Sequence, residues 1–390
     1  MTKKLVEAAK LWGAALHGDR SAQGAMKSLV LGEPTRYLSE AISTSDLIRT
    51  FTASLNTQLV SQYADAPKVW TDYAARHELN DFRPELVREF NWDDVANLST
   101  NGGVATNYRS LPNIPEATEY PSLGWTQSTN AVQTSKKGIR VPFTWEDVVN
   151  DHWDFIGSIP QELITIALNT EQTEATRQLA SPTGPNSVTF SGLAVHDGTA
   201  GPTNFDQDYP LTMDALLLAK KSIRQRIYNK RRVNVPKFRL VVPLTLKDQA
   251  EAILGTLELE VRNSSNTRIT KIKPGNTDVS LTVDEWLTHI DTSATNATTW
   301  YLVPDGGKDS TRESIALGFL KGHTNPDVRV SANTGQYVDG TDVPGLEGSF
   351  VDDTVDMRVR HVVAGQVVYN MGMIASKGNS SATPPAQYGI

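Results

Sequence analysis

The chain has 390 residues, a net charge of -7 and no cysteine, which excludes disulfides, thiolate nucleophiles and Cys-ligated zinc. Its 39% hydrophobic and 21% charged residues are the balance of a globular protein with room for two or three packed units. The acidic sum is wrong for a protein whose main task is gripping phosphate backbones.

Along the chain, Leu5, Ala8, Ala9, Trp12 and Leu16 recur at helical spacing, as do Leu47, Ile48, Phe51, Leu55 and Leu59. Glu7 and Lys10 interrupt the apolar run a signal peptide needs, and no stretch reaches the length of a membrane span. A soluble, cytoplasmic product is expected. Residues 1–105 are too poor in apolar side chains for a compact domain and read as an extended helical arm. The Gly-, Pro- and Asn-rich "STNGGVATNYRSLPNIPEATEYP" then marks a boundary.

Residues 106–148 read as a two-limbed β-ribbon with "TQSTN" near its tip. Leu123 and Trp125 lie on the outgoing limb. On the return limb Ile139, Val141, Phe143 and Trp145 alternate with Arg140, Pro142, Thr144 and Glu146, the period of a strand with one apolar face. A lone ribbon is marginal in water, so this face needs cover from outside the ribbon, and the two tryptophans supply contact area suited to an interface.

Ser158 and Gln161 form a capping box with Pro160 in the first turn, predicting a helix of about 22 residues, roughly 33 Å long. Its first half carries Ile159, Leu163, Ile166 and Ala167, while its second half is almost entirely polar and is expected to be covered only on assembly. From about 205 the grammar is that of a compact α/β unit. Thr212 caps a helix, "FRLVVP" is a buried strand, Thr245 and Asp248 open a helix that Gly255 closes, and Thr282 with Glu285 forms a second capping box. "TWYLVP" and "SIALGFL" are further strands. Near the end Val355, Met357 and Val359 alternate with Asp356, Arg358 and Arg360, a long strand with a kink or turn near Ala364 and Gly365. The breaker-rich tail 379–390 is expected to be flexible.

The search for chemistry finds little. "PDGGKDST" lacks the leading glycine of a phosphate loop and reads as a polar turn. The seven histidines lack metal-ligand spacing, and His196 with Asp197, Asp206 with Asp208, and Asp352 with Asp353 sit in turn-like sequence. Nine cations lie between Lys220 and Arg239 with no acid among them. Nucleic acid is one reading of that stretch; acidic patches on a neighbouring subunit, met by Arg224, Arg231 and Arg232, is the preferred one.

The succession of arm, boundary, ribbon, long helix, α/β unit and closing strand resembles the major capsid proteins of tailed bacteriophages, the Hong Kong 97-type fold. "LPNIPEATEY" followed by "KKGIRVPFTWEDVVND", ending at Asn150 and Asp151, is similar to the Mu-like major head subunit pattern, as are "VNVPKFRLVVPLTLKDQAEAIL", "ESIALGFLKGHTNPDVRV" and "VDMRVRHVVAGQVVYNMG". The resemblance implies an α+β fold: N-terminal arm 1–105, extended loop 106–148, peripheral domain 149–204 with a spine helix, axial domain 205–324, peripheral strands 325–378 and tail 379–390.

It further implies a structural protein without catalytic, cofactor or metal site. Such a subunit self-assembles into the hexamers and pentamers of an icosahedral phage head in the host cytoplasm, and the head encloses double-stranded DNA without sequence-specific binding. Scaffolding, portal and decoration proteins are candidate partners, and no membrane is involved. The interface residues expected are Leu123, Trp125, Ile139, Val141, Phe143, Trp145, Arg224, Arg231 and Arg232. Met1 is read as arguing against a cleaved scaffolding segment, and Lys136, Lys137 and Asn130 match no cross-linking motif. Two other readings are an encapsulin-type compartment shell and a hydrolase using Asp206 or His196.

Overall fold

Runs rich in β-branched and aromatic residues become the strands of the computed structural model. It describes residues 61–90, 125–144, 153–190, 208–228, 231–255, 259–262, 269–272, 277–309, 312–331 and 354–381, with 114, 116–117, 119–120, 336, 338, 351 and 383–384 besides. In chain order come β1 (Ala75–Leu79), β2 (Glu85–Phe90), β3 (Trp125–Val132), β4 (Lys136–Thr144), α1 (Trp153–Leu179), α2 (Met213–Gln225) and β5 (Phe238–Val242). Then follow α3 (Lys247–Gly255), β6 (Val279–Val283), α4 (Trp286–Ile290), β7 (Trp300–Pro304), β8 (Ile315–Leu320), β9 (Asp327–Val330), β10 (Thr354–Val367) and β11 (Ile374–Ser376). The described residues fall into two units, one of 61–67, 136–169 and 322–362, the other of 68–135, 170–321 and 363–381.

In the first unit, residues 354–362 of β10 pair antiparallel with β4 on one side and β9 on the other. Period-two alternation places Val355, Met357 and Val359 beside Phe143 and Val141, and Ile159, Leu163 and Ala167 of α1 pack on that face. Phe143 is only 4% exposed, and burying a side chain of this size contributes about 1.5–3 kcal/mol. Helix α1 does not start at the Ser158–Gln161 box: it begins at Trp153 and runs through Pro160. A cap contributes only about 1 kcal/mol, less than the apolar packing of Ile159 and Leu163 that holds this stretch helical.

The second unit holds a four-stranded sheet in the order β6–β5–β7–β11, with β5 and β6 parallel and β7 antiparallel to both its neighbours. On one face Phe238, Leu240, Val242, Trp300 and Leu302 meet Leu216, Ala219 and Ile223 of α2 and Ala250 of α3. The Thr212 hydroxyl caps α2 by accepting from the Ala215 N–H at 3.2 Å, as its sequence predicts. On the other face Val241, Tyr301 and Val303 join Trp70, Tyr73, Leu179, Ile315, Leu317, Phe319 and Val363. Strand β8 pairs parallel with β1 and antiparallel with residues 363–367 of β10.

Several expected boundaries change. Trp70, Tyr73 and β1 belong to this core, so the arm does not extend to 105; its predicted helices lie outside the described residues. Strand β8, assigned from sequence to the α/β unit, is not in the β5 sheet, whereas β11, assigned elsewhere, is. Strand β10 runs unbroken through Ala364 and Gly365, because β8 takes over as its partner. The start of the tail is held: the N–H groups of Lys377 and Ser380 donate to the Oδ1 and the backbone carbonyl of Asp208 at 3.0 and 3.1 Å.

The polar second half of α1 is buried within its own chain. Glu171 and Thr176 are fully buried and Gln172 nearly so. Asp284 Oδ2 accepts from the Thr176 hydroxyl at 2.6 Å, the Tyr73 hydroxyl at 2.9 Å and the Gln172 amide at 2.9 Å, while Oδ1 accepts from the Trp286 N–H at 3.0 Å. The Trp70 indole donates to Glu171 at 3.1 Å. Burial pushes the Asp284 carboxyl up from its ordinary value, and these hydrogen bonds oppose the shift. The Thr282–Glu285 box does not form, since Thr282 is in β6 and its hydroxyl donates to Asp72 at 2.7 Å; Asp284 caps the turn instead. Asp284→Ala removes the acceptor that three buried side-chain donors share, leaving them only one another and the Gln172 carbonyl, and urea unfolding should show a loss of about 1–3 kcal/mol.

Candidate functional site

Strand β3 pairs antiparallel with β2, with Glu85 opposite Val132 and Phe90 opposite Trp125. The ribbon therefore has β2 as its outgoing limb and β3 as its return, with residues 91–124 between them. The expected pairing of 125–132 with 139–146 is corrected: β4 instead completes the β10 sheet. Lys136 and Lys137 go with it, so they are not ribbon residues; Asn130 is. No third strand joins β2 and β3 among the described residues.

This rearrangement splits the expected interface residues. Trp125 on the ribbon is 60% exposed, and Leu86 and Phe82, which sequence reasoning missed, are 39% and 48% exposed. "ELVREF" carries no clean alternation, so only the pairing with β3 reveals that strand. Phe143 and Val141 are covered by their own chain, which overturns the expectation that another copy finishes that face. Ile139, next on the same strand, stays exposed. Leu123 and Trp145 lie outside the described residues.

Four of the nine cations of the basic stretch are engaged within the chain. Lys220 and Arg224 both pair with Asp278, Arg226 donates to the carbonyls of Met371 and Met373 at 2.8 Å each, and Arg239 pairs with Asp305 at 2.6 Å. Burial lowers Lys220 from the ordinary lysine value, with Asp278 opposing. Burial likewise brings Arg226 to about 10. Arg232 is exposed on a short strand pair, and the Arg231 side chain lies outside the description.

At the root of the ribbon, His77 of β1 stands between two carboxylates. Its Nδ1 lies 3.1 Å from Glu313 and its Nε2 3.5 Å from Glu85, the first residue of β2; Lys308 pairs with Glu313 at 3.3 Å. The "PDGGKDST" turn supplies Lys308 and is the polar turn expected. Its Gly307 has φ +65°, and a Cβ there would lie 2.5 Å from the Ala75 nitrogen, so only glycine fits.

No group of three or more His, Asp or Glu gathers to hold a metal among the described residues. His196, Asp197, Asp206, Asp352 and Asp353 lie outside them, and Asp208 serves the tail. No helix among the described residues is long and apolar enough to cross a membrane.

A family model described as phage capsid protein matches residues 127–375, well over half of the chain. The chain belongs to the phage capsid protein family. This capsid protein is a structural component of the virion shell, and its described residues mix helix and strand. A search of curated proteins finds no match. Among solved structures it is similar to that of Mycobacterium phage Patience, at 9% identity and TM-score 0.44 over 91% of this chain and 94% of that one. It is also similar to the mature capsid of bacteriophage PhiM1, at 7% and 0.40 over 80% and 86%, and to the SrpI encapsulin of Synechococcus elongatus, at 10% and 0.40 over 83% and 91%. The assignment rests on the family match alone.

The His77 cluster titrates with a definite sign. The hydrogen bond to Glu313 raises His77 above its ordinary 6.5, against burial and with Glu85 helping. The same bond holds Glu313 below its ordinary 4.5. The His77 contribution is full below pH 6.5 and lost as pH rises through the raised value; the Glu313 contribution is full above pH 4.5 and lost as pH falls. Thermal melts of His77→Gln should therefore show the larger penalty, about 1 kcal/mol, near pH 5.5, shrinking toward about pH 9.

Proposed function

We propose that this capsid protein assembles into the hexamers and pentamers of an icosahedral head that encloses double-stranded DNA without sequence-specific contacts. The β2–β3 ribbon with residues 91–124 is the extended loop that crosses to a neighbouring subunit, in place of 106–148. The β5 sheet with α2 and α3 forms the axial domain. Strands β4, β9 and β10 with the first half of α1 form the peripheral domain.

The observation that carries this reading is the ribbon itself. Two strands alone are marginal in water, yet Trp125, Leu86 and Phe82 present apolar surface on and beside it. Covering the exposed part of Trp125 removes roughly 100–150 Å² from water, about 3 kcal/mol. Repeating one such contact around a closed ring is how a single chain type builds rings and then a shell. Of the other interface residues expected from the sequence, Ile139 and Arg232 remain exposed and stay candidates. Arg224 is held in the chain by Asp278, and Val141 and Phe143 are set aside.

Negative-stain microscopy of the expressed protein should show rings or shells. Trp125→Ala should cut particle yield while leaving the subunit's melting temperature nearly unchanged; equal loss in subunit and particle would refute the ribbon contact. Nucleic acid inside purified particles fits a phage head, whereas protein cargo instead would make the shell an enzyme compartment.

A further inference from the structure

The sheet of the first unit has a second face whose charges are not balanced among the described residues. Cross-strand partners share a face, and Arg329 of β9 stands opposite Arg358 of β10, which stands opposite Arg140 of β4. Three arginines thus form one row across three strands, spaced by about 4.8 Å per strand. Arg360 lies on the same face, opposite Asp327. Like charges set directly opposite one another destabilise a sheet.

Two carboxylates relieve the row in part. Asp327 pairs with Arg329 and Arg360 at 2.8 Å each, and Asp356 meets Arg140 at 3.4 Å. Arg358, at the centre and exposed, has no carboxylate partner among the described residues. Among the described residues, four guanidiniums against two carboxylates leave a positive face. The interspersed aspartates would repel a continuous phosphate backbone, so the pattern favours a segment carrying separate carboxylates.

The chain contains such a segment. Residues 331–353, which join β9 to β10, carry Asp339, Asp342, Glu347, Asp352 and Asp353 and not one Lys, Arg or His. By contrast residues 1–60 hold seven cations against five acids. Within 331–353, Val338 and Val351 are 109% and 91% exposed, the two highest values among the exposed large hydrophobics of the described residues.

We propose that the arginine face of β4, β10 and β9 is the docking site for residues 331–353 of a second copy, which rests on the shell reading above. Carboxylates of the incoming segment neutralise Arg358 and its neighbours in the row. Val338 and Val351 lose their exposure in the same contact. The contact is reciprocal in kind: every copy carries one acceptor face and one acidic segment, so it can repeat from subunit to subunit.

The absence of cysteine permits a direct test in the full chain. Arg358→Cys protein is mixed with Asp342→Cys protein, assembled, and oxidised, with Asp339→Cys and Glu347→Cys as parallel partners. Disulfide-linked dimers should form in at least one mixture and in no single variant. If wild-type protein forms particles but no mixture cross-links, the docking is wrong and the shell reading stands; if wild type forms no particles, the shell reading itself fails. A disulfide found solely within one chain of an Arg358→Cys/Asp342→Cys double variant also overturns it.

As a second measurement, Arg140→Glu/Arg358→Glu should lower particle yield about tenfold with the circular dichroism melt unchanged, and adding Asp339→Lys/Asp342→Lys should restore it. An unchanged yield overturns the proposal, and so does an unchanged yield with loss of packaged nucleic acid, which would make the face a nucleic-acid surface.

Discussion

One strand, β10, is the constraint on which the rest depends. Each unit builds a sheet on a different stretch of it: residues 354–362 hold β4 and β9, and residues 363–367 hold β8. A strand's side chains alternate, so a slip of one residue would exchange Val355, Met357 and Val359 for Asp356, Arg358 and Arg360 in the apolar core. That exchange would bury unpaired charges at a cost of several kcal/mol each. The register is thereby fixed without any special contact. At Gly365 the fit is tight in another way, since a Cβ there would collide with the Glu174 carbonyl of α1. The strand can continue past Val363 because glycine stands where the helix backbone comes closest.

The second consequence of burying so much of α1 is the polar cluster around Asp284. The second half of α1 gives the apolar core only Ala175 and Leu179, so its place there depends also on satisfying its buried polar groups. Asp284 does this by accepting from three side chains and one backbone N–H. Such a network adds little net stability over an apolar core but tolerates few alternative geometries. It fixes the axial position of α1 against α4 and residues 70–73, which apolar contacts alone leave free to slide.

Much of the fold was legible because its signals are local. "FRLVV", "WYLVP" and "IALGFL" read as strands from composition, and the alternation of 355–360 from period. Thr212 capped where it was expected to. What failed was pairing. Trp125–Val132 is separated from β4 by three residues, and adjacent strands usually pair, yet its partner lies across 34 intervening residues in β2. Register across distant strands leaves no trace in one sequence, so the arginine row was invisible: each arginine occupies an ordinary polar position on its own strand. The capping boxes failed for a related reason. Thr282 met Asp72, 210 residues away, and a distant partner outcompeted the local one.

The same blindness explains the basic stretch, and its correction changes the electrostatic picture. Read linearly, Lys220 to Arg239 is a block of nine cations. In the fold Asp278 neutralises two of them, Asp305 takes Arg239, and Arg226 is turned inward onto two carbonyls. Cations already paired with a carboxylate or turned onto backbone carbonyls are less available to a polyanion, which would have to compete with those partners. Lys221, Arg232 and Lys237 of the same run stay exposed, so only part of its positive charge is withdrawn from the surface. A subunit with net charge -7 and part of its cationic run tied down in this way offers a polyanion less free positive charge at that run than the sequence read linearly suggests.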